Sequence, residues 1–464
     1  MKTFPYRVAQ LVTNDQLMPD GGIGVTVRSL NLMFQDMGYA VDVITDCLPH
    51  PTDDKRVNFR EEIERTCTRI VTRDHAIPYT RFRHVHSNKP GINLEESANM
   101  RESLVKAFER TVYDLIIIHN PNTIPAVYDL DIWRNINCVT YTHDPKNVFP
   151  NNDSNSIINY QNTLYKLPGI TVGTHTAVNQ RHVALPNCVI LPLPLPDSEL
   201  LTSTADERTG VLYIGKWEHR KDPQAYCAMI KRTGLPARII TSPHSLNKFK
   251  QEFKRLAHTG DVVYALEQYP QSLIRGYSNH REKREFIAQC RVAYLPYKTE
   301  SYGLAIDEAL AQMPVVLSHC AGAWSEHFVT SNRVYQGTDY ADCERQVVEW
   351  HSADTVEGDC ARIQAQQLNC RTQWHAQLGI QAVGQAAVPA RVSTYTHIWH
   401  SDWHNKMRRD IDKFDIQSLL NAKHNHTRYY TQSDCYYSKD GAKPEDPQTV
   451  EMTVGQLQQW SQAL

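Results

Sequence analysis

No stretch of this 464-residue chain approaches the roughly 18 apolar residues that a membrane-spanning helix needs. Met1 to Arg7 leads straight into a short apolar run, without the h-region of a secretory leader, so the expected location is the cytoplasm. The eleven cysteines are scattered, none closer than ten positions to the next. There is no C-x-x-C pair and no short Cys/His spacing, which argues against a zinc site and against a disulfide framework. The 21 histidines include no H-E-x-x-H pair, and no metal site is expected. An excess of charge is lacking as well. Lys plus Arg is 49 and Asp plus Glu is 51, a formal net charge of −2, which excludes a general basic coat for nucleic acid. What is present is 41% hydrophobic and 22% charged residues, enough for a sizeable core in two or three domains.

The chain starts as strand, loop and helix. Tyr6 to Val12 is a short apolar run, followed by Thr13-Asn14-Asp15, a loop through Pro19, and Gly21-Gly22-Ile23-Gly24. From Val25, apolar residues at Val27, Leu30, Leu32, Phe34 and Met37 keep helical spacing, Gly38 fits a helix stop, and Tyr39 to Thr45 reads as the next strand. Asp114 to His119 and Cys138 to Thr142 are continuous apolar strands of the kind a doubly covered parallel sheet requires. Ile170–Gly173 and Val189–Leu191 are shorter ones. Leu191 to Pro196, leucine alternating with proline, predicts an extended linker. A second start follows: strand Gly210–Ile214, then Gly215-Lys216, then a helix from about Pro223. Arg238–Thr241, Val262–Leu266, Arg291–Pro296 and Pro314–Ser318 are further strands, with a helix over Tyr302–Gln312. The reading is α/β: a domain over 1–190, a linker over 191–209, a second domain over 210–390, and a tail over 391–464 with a helix at about Asp402–Leu420.

The strongest constellation is Glu300-Ser301-Tyr302-Gly303-Leu304-Ala305-Ile306-Asp307-Glu308, after a strand and opening a helix. That position offers free backbone N–H groups at the C-terminal edge of a parallel sheet, where a diphosphate is welcome. Gly303 allows close backbone approach. Glu308, about two turns along, suits two ribose hydroxyls, and Glu300 suits a sugar. An ordinary helix start with acidic residues near its N-terminus is the plainer alternative.

This E-x(7)-E segment resembles the donor site of retaining glycosyltransferases of the GT-B fold, especially the family-4 type. Three further segments match that family in order, over roughly residues 6 to 330. Gly22 and Gly24 resemble its N-terminal glycine loop. Gly215-Lys216 with Arg220 and Lys221 resembles the basic loop that holds the diphosphate. His143-Asp144, directly after a strand, resembles the pair at the sugar end. The resemblance implies two Rossmann-like domains facing a cleft and a nucleotide-sugar donor, UDP-linked, as co-substrate. It also implies metal-independent catalysis by front-face displacement, in which the leaving phosphate takes the acceptor proton. Its donor-site residues would be Gly22, Gly24, Gly215, Lys216, Arg220, Lys221, Ser301, Tyr302, Gly303, Leu304 and Glu308. Its sugar-end residues would be His143, Asp144 and Glu300. Cations there would stabilise the departing diphosphate. His119, at a strand end, is a second candidate, though a lone histidine is more often structural. In many such chains the last helix crosses back to the first domain, as Trp399–Leu420 would here.

Two acceptors compete. Gly22-Ile23-Gly24-Val25-Thr26, Val139 to Asp144, Asp114–Ile118 and Ile214-Gly215-Lys216 with Lys221 are similar to the DNA α-glucosyltransferases of T-even phages, which implies a hydroxymethylated pyrimidine in DNA. Glu300 to Glu308 departs from them toward the bacterial family-4 pattern, which implies a cell-envelope glycan, lipid or small molecule. A non-catalytic sugar-nucleotide or DNA-binding protein is the third reading. Regional charge bears on the choice. Residues 216–298 hold 16 Lys/Arg and 7 Asp/Glu, net +9, and the rest of the chain nets −11. Lys248, Lys250, Lys254 and Arg255, with Arg281, Lys283 and Arg284, are expected to form a face for phosphates, DNA or an anionic membrane. A solvated surface is the plain alternative. Base flipping would also need a wedge near the site, for which Tyr141, Phe149 and Tyr302 are candidates.

Overall fold

The structure is a computed structural model. It describes residues 6–17, 22–47, 54–72, 94–143, 164–183, 185–195, 208–254, 257–258, 263–266, 268–276, 280–298, 300, 302–318, 331–354 and 357–378, and four short strands beyond them. The chain divides into two compact units. The first holds the residues up to Thr174, Gln180–Leu191, and those from Gln373 onward; the second holds His175–Asn179 and Pro192–Thr372.

The first unit is built on strands β1 (Arg7–Val12), β2 (Ala40–Thr45), β3 (Arg69–Thr72), β4 (Leu115–Ile118), β5 (Asn137–Tyr141), β6 (Ile170–Thr174) and β7 (Cys188–Ile190). They form one seven-stranded sheet in the order β3-β2-β1-β4-β5-β6-β7, and every pairing is parallel. Val8, Leu11, Ile116, Ile117 and Val139 are fully buried, as strands covered on both faces must be. The order reverses between β1 and β4, and at such a switch point connections leave toward opposite faces and open a crevice at the strand C-termini. Gln373 to Leu378 belongs to this unit. Trp374 is fully buried against the edges of Phe34 and Tyr141, and Asn137 donates through Nδ2 to the Gln377 carbonyl at 2.9 Å.

The second unit holds β8 (Val211–Ile214), β9 (Ala237–Thr241), β10 (Ala257–His258), β11 (Val263–Leu266), β12 (Tyr269–Gly276), β13 (Val292–Leu295), β14 (Val315–Leu317) and β15 (Val334–Gln336). Their order is β10-β11-β12-β9-β8-β13-β14-β15. The run from β12 to β15 is parallel, and β10 and β11 add an antiparallel edge. The switch point lies between β8 and β13. Two parallel-based sheets clothed in helices make this the expected α/β fold of two Rossmann-like units.

The structure departs from expectation in four places. Gly22 and Gly24 lie inside the first turns of the helix Gly22–Asp36, not in a loop before it. The Thr26 hydroxyl donates to the Gly22 carbonyl at 2.8 Å and closes that turn. Lys254 does not continue the helix Pro243–Glu252 that carries Lys250; it follows the helix end at a left-handed φ of 60°. β12 went unread because Pro270, Gln271 and Ser272 break its apolar pattern. In the tail, Tyr395–Ile398, Thr427–Tyr430, Cys435–Ser438 and Val450–Thr453 are strands, and the helix expected over Asp402–Leu420 lies outside the described residues. Among the described residues no helix is long and apolar enough to cross a membrane, and no group of three His, Cys, Asp or Glu is placed for a metal.

The turn after β13 depends on Gly303. Its φ is +98°, and a Cβ there would stand 2.8 Å from Ile306 Cδ1. Gly303→Ala is expected to cost about 1–3 kcal/mol in urea unfolding, the size of a forced left-handed residue; an unchanged midpoint would show that the turn relaxes freely.

Candidate active site

The switch point of the second sheet gathers charge. β8 ends at Ile214 and releases Gly215 and Lys216, then the 3-10 turn His219–Lys221. β13 releases Tyr297, Lys298 and Glu300 beside it. The Lys298 amide donates to the Arg220 carbonyl at 2.8 Å and ties the two loops together. Lys221 Nζ meets Glu300 Oε2, and Arg220 Nη1 is 3.7 Å from Glu300 Oε1. Lys221 also sits 3.7 Å over the Tyr297 ring. Burial pulls the Lys221 ammonium below its ordinary pKa, and the Glu300 carboxylate opposes that pull. Asp222 follows at a left-handed φ of 42°. Its carboxylate caps the helix Pro223–Thr233 through Ala225 N and takes Lys298 Nζ at 3.2 Å.

The helix Leu304–Leu310 starts at Gly303 and carries Asp307 and Glu308 inward. Glu308 is buried, and both its oxygens accept from Lys283 Nζ, at 2.6 and 2.5 Å. This corrects the expectation for Lys283. It does not face phosphates from the surface; it points inward from the helix His280–Ala288 along with His280, Phe286 and Ile287. Asp307 is also buried, and burial raises its pKa to about 7. Gln366 Nε2 donates to Asp307 Oδ2 at 3.1 Å and to the Tyr302 hydroxyl at 2.5 Å. Tyr302 in turn donates to the Leu193 carbonyl at 3.0 Å. Tyr302 is therefore a buried strut and not an exposed wedge.

The first sheet gathers neutral polar groups at its switch point. Gln10, in the middle of apolar β1, donates through Nε2 to the Val27 carbonyl at 3.1 Å and to Asn31 Oδ1 at 2.6 Å. Its Oε1 lies 2.7 Å from His119 Nε2, and His119 Nδ1 lies 2.8 Å from His143 Nε2. Complete burial lowers the His119 pKa to about 3. The His119 and His143 ring centres are 5.1 Å apart.

The structure thus brings Arg220, Lys221 and Glu300 together, Glu308 to Lys283, and His143 to His119. Lys216 is half-buried beside the first group. Asp144, Ser301, Arg255 and Phe149 lie outside the described residues. Lys248, Lys250 and Lys254 are exposed, Arg281 is exposed and paired with Glu285 at 2.9 Å, and Arg284 is half-buried. Sequence reasoning missed Gln10, Asp307 and the inward turn of Lys283. A glutamine inside Val8-Ala9-Gln10-Leu11-Val12 was the available signal for the first.

No protein-family model and no curated protein matches the chain. Solved structures do. Sucrose-phosphate synthase from Thermosynechococcus elongatus is 14% identical, with a TM-score of 0.52, over 90% of this chain and 100% of that one. TarM is 11% identical at a TM-score of 0.55, over 80% and 98%. Anabaena HepE, solved in complex with UDP, is 12% identical at 0.55, over the same shares. At these identities the likeness is one of fold, and the fold is the GT-B arrangement of two Rossmann-like domains seen in glycosyltransferases.

The buried titratable groups set opposite pH responses. Asp307 is held near 7 against an ordinary 3.8, so its contribution to stability is complete below 3.8 and is lost as pH rises to about 7. His119 is held at about 3 against 6.5, so its contribution is present above 6.5 and is lost as pH falls to about 3. Relative to the parent, Asp307→Asn should gain stability in urea unfolding as pH rises over that range, and His119→Phe should gain it as pH falls. Parallel stability curves would refute both assignments.

Proposed function

We propose that this chain is a retaining glycosyltransferase that moves a sugar from a UDP-sugar to an acceptor hydroxyl. The observation that carries the reading is the meeting of Arg220, Lys221 and Glu300 at the second switch point. Arg220, Lys221 and the nearby Lys216 are the cations a departing diphosphate needs, and Lys221, the buried one, would act most strongly. A diphosphate drawing Lys221 to itself competes with Glu300, and the carboxylate it releases is placed for a sugar hydroxyl. Glu308 would hold the ribose while Lys283 holds Glu308. Ser301, Gly303 and Leu304 would shape the donor pocket. By the family resemblance, Gly22, Gly24, His143 and Asp144 would serve the transfer from the first unit. The retaining course and the independence from a metal rest on the resemblance of Glu300–Glu308 to the family-4 motif. UDP as the carrier is supported by neighbours such as HepE, whose structure holds UDP.

For the acceptor, we take a hydroxymethylated pyrimidine in DNA. The similarity of the Gly22–Thr26 and Val139–Asp144 segments to phage DNA α-glucosyltransferases supports it, as does the exposure of Lys248, Lys250 and Lys254. A cell-envelope glycan, lipid or small molecule is the second reading, favoured by the bacterial pattern over Glu300–Glu308. Incubation with a panel of UDP-sugars and hydroxymethylated or plain DNA, followed by nucleoside mass analysis, decides between them. A sugar found only on the hydroxymethylated base supports DNA. Transfer only to glycan or lipid acceptors supports the second reading. Donor binding with no transfer to any acceptor points to a non-catalytic protein.

Two variants test the site. Lys221→Met should cut turnover by about 10²–10³-fold, as loss of a charge stabiliser at the leaving group does; parental turnover would remove Lys221 from the site. For the ribose, Glu308→Gln is the suitable variant, because an alanine there would strand the buried Lys283 ammonium and cost about 3–5 kcal/mol of stability. Glu308→Gln should weaken UDP binding about tenfold in calorimetry, one charged hydrogen bond's worth, and undiminished affinity would refute the ribose role. DNA binding should fall about 3–12-fold between 50 and 200 mM salt, the slope of one or two phosphate contacts, and a flat response would take DNA off the list.

A further inference from the structure

The hydrogen-bond chain at the first switch point fixes proton positions that no single residue in it would fix. Its start is the backbone carbonyl of Val27, which can only accept, so the Gln10 nitrogen must face it at 3.1 Å. The same nitrogen serves Asn31 Oδ1 at 2.6 Å. Gln10 Oε1 is then the atom turned to His119, and an amide oxygen can only accept, so His119 Nε2 carries a proton across the 2.7 Å contact. His119 is fully buried and stays neutral, so its other nitrogen, Nδ1, has a lone pair and no proton. The contact at 2.8 Å from His119 Nδ1 to His143 Nε2 therefore needs its proton from His143.

We propose that Gln10 and His119 are positioning residues that hold the His143 ring as the tautomer protonated on Nε2. That leaves Nδ1 as the nitrogen of His143 that carries the lone pair. A neutral ring held this way accepts a hydrogen bond at Nδ1 and has no freedom to turn over, because Nε2 is committed to His119. The two rings meet end to end with planes 28° from parallel, and the Tyr141 ring, 5.2 Å from His143, stands across it to keep the plane in place. The tautomer assignment stands on the hydrogen-bond chain and the burial of His119; its use in sugar transfer rests on the proposed function.

The test is the long-range ring 15N–1H correlation spectrum of the full chain labelled with 15N-histidine, at a pH where His143 is neutral. The His143 signals are identified by their loss in His143→Gln. The parent should show His143 protonated on Nε2, and a ring protonated on Nδ1 alone would overturn the proposal outright. His119→Phe keeps the ring volume and removes the acceptor, so His143 should become a mixture of tautomers. His119→Asn places an amide oxygen near the lost Nδ1, so it should restore the parental pattern. In sugar transfer, His119→Phe should lower kcat about tenfold, the size of one lost hydrogen bond, with KM for the donor nearly unchanged, and His119→Asn should recover most of it. If His119→Phe leaves the His143 spectrum or kcat as in the parent, the positioning role is refuted. If the parent shows the expected tautomer yet transfers no sugar to any acceptor, the proposed function falls and the tautomer assignment stands.

Discussion

The candidate site residues of both units follow from one constraint, the reversal of strand order in a parallel sheet. Where β1 meets β4, and where β8 meets β13, the strand order reverses, and at such a point successive connections leave for opposite faces. Gln10, His119 and His143 occupy one such place, and Lys221, Arg220 and Glu300 the other. Elsewhere the same strands are apolar and sealed: Val211, Leu212, Val292 and Ala293 are fully buried a few residues upstream. The fold concentrates cost at two points, and those points are where chemistry is available.

The two places solve the cost differently. The first uses neutral groups, each donor answered by an acceptor, so that a buried histidine need never be charged. The second uses opposite charges. A buried ion pair adds little net stability, because the attraction roughly offsets the loss of water, but breaking one partner out is expensive. Lys283 with Glu308 and Lys221 with Glu300 are therefore better understood as devices of specificity than of stability. Each holds a carboxylate in one orientation, and each becomes unfavourable unless an incoming group replaces the partner it removes. A diphosphate is such a group for Lys221, since it carries the negative charge that Glu300 would withdraw.

Legibility in the sequence followed covering. β1, β4, β5, β8, β13 and β14 were readable because strands buried on both faces are continuous apolar runs, and such runs have few other uses. β12 was not, because Pro270 to Ser272 interrupt the pattern and only its later part, with Ile274 fully buried, pairs with β9. The helix His280–Ala288 misled in the other direction. Its string of Arg281, Glu282, Lys283, Arg284 and Glu285 looks like a solvated face. The helical period nevertheless puts His280 and Lys283 on the same side as Phe286 and Ile287, and that side is inside. Helical phase, not charge density, decides which lysine reaches solvent. At the site, Arg220, Lys221, Glu300 and Glu308 were readable by their spacing around strand ends. Which of them pair was not, because Lys221 and Glu300 are 79 positions apart, and only the parallel pairing of β8 with β13 brings their loops together.

The same geometry alters what the regional charge means. The near-neutral chain conceals a stretch, residues 216–298, with a net charge of +9. Many of its cations are paired with acids, some inside the stretch and already counted in that net charge, others beyond it. Lys221 pairs with Glu300, Lys283 with Glu308, Arg232 with Glu344, Lys231 with Glu252, Lys298 with Asp222, and Arg281 with Glu285. Three of these acids, Glu300, Glu308 and Glu344, lie beyond residue 298, so a count limited to the stretch overstates the field it produces. Among the described residues, Lys248, Lys250 and Lys254, on and just after one helix, are exposed and outside these pairs. A helix with two or three lysines has the reach to touch one or two neighbouring phosphates and no more. An acceptor held through it would owe its selection to the reacting group in the site, with the lysines supplying orientation and a salt-dependent share of the affinity.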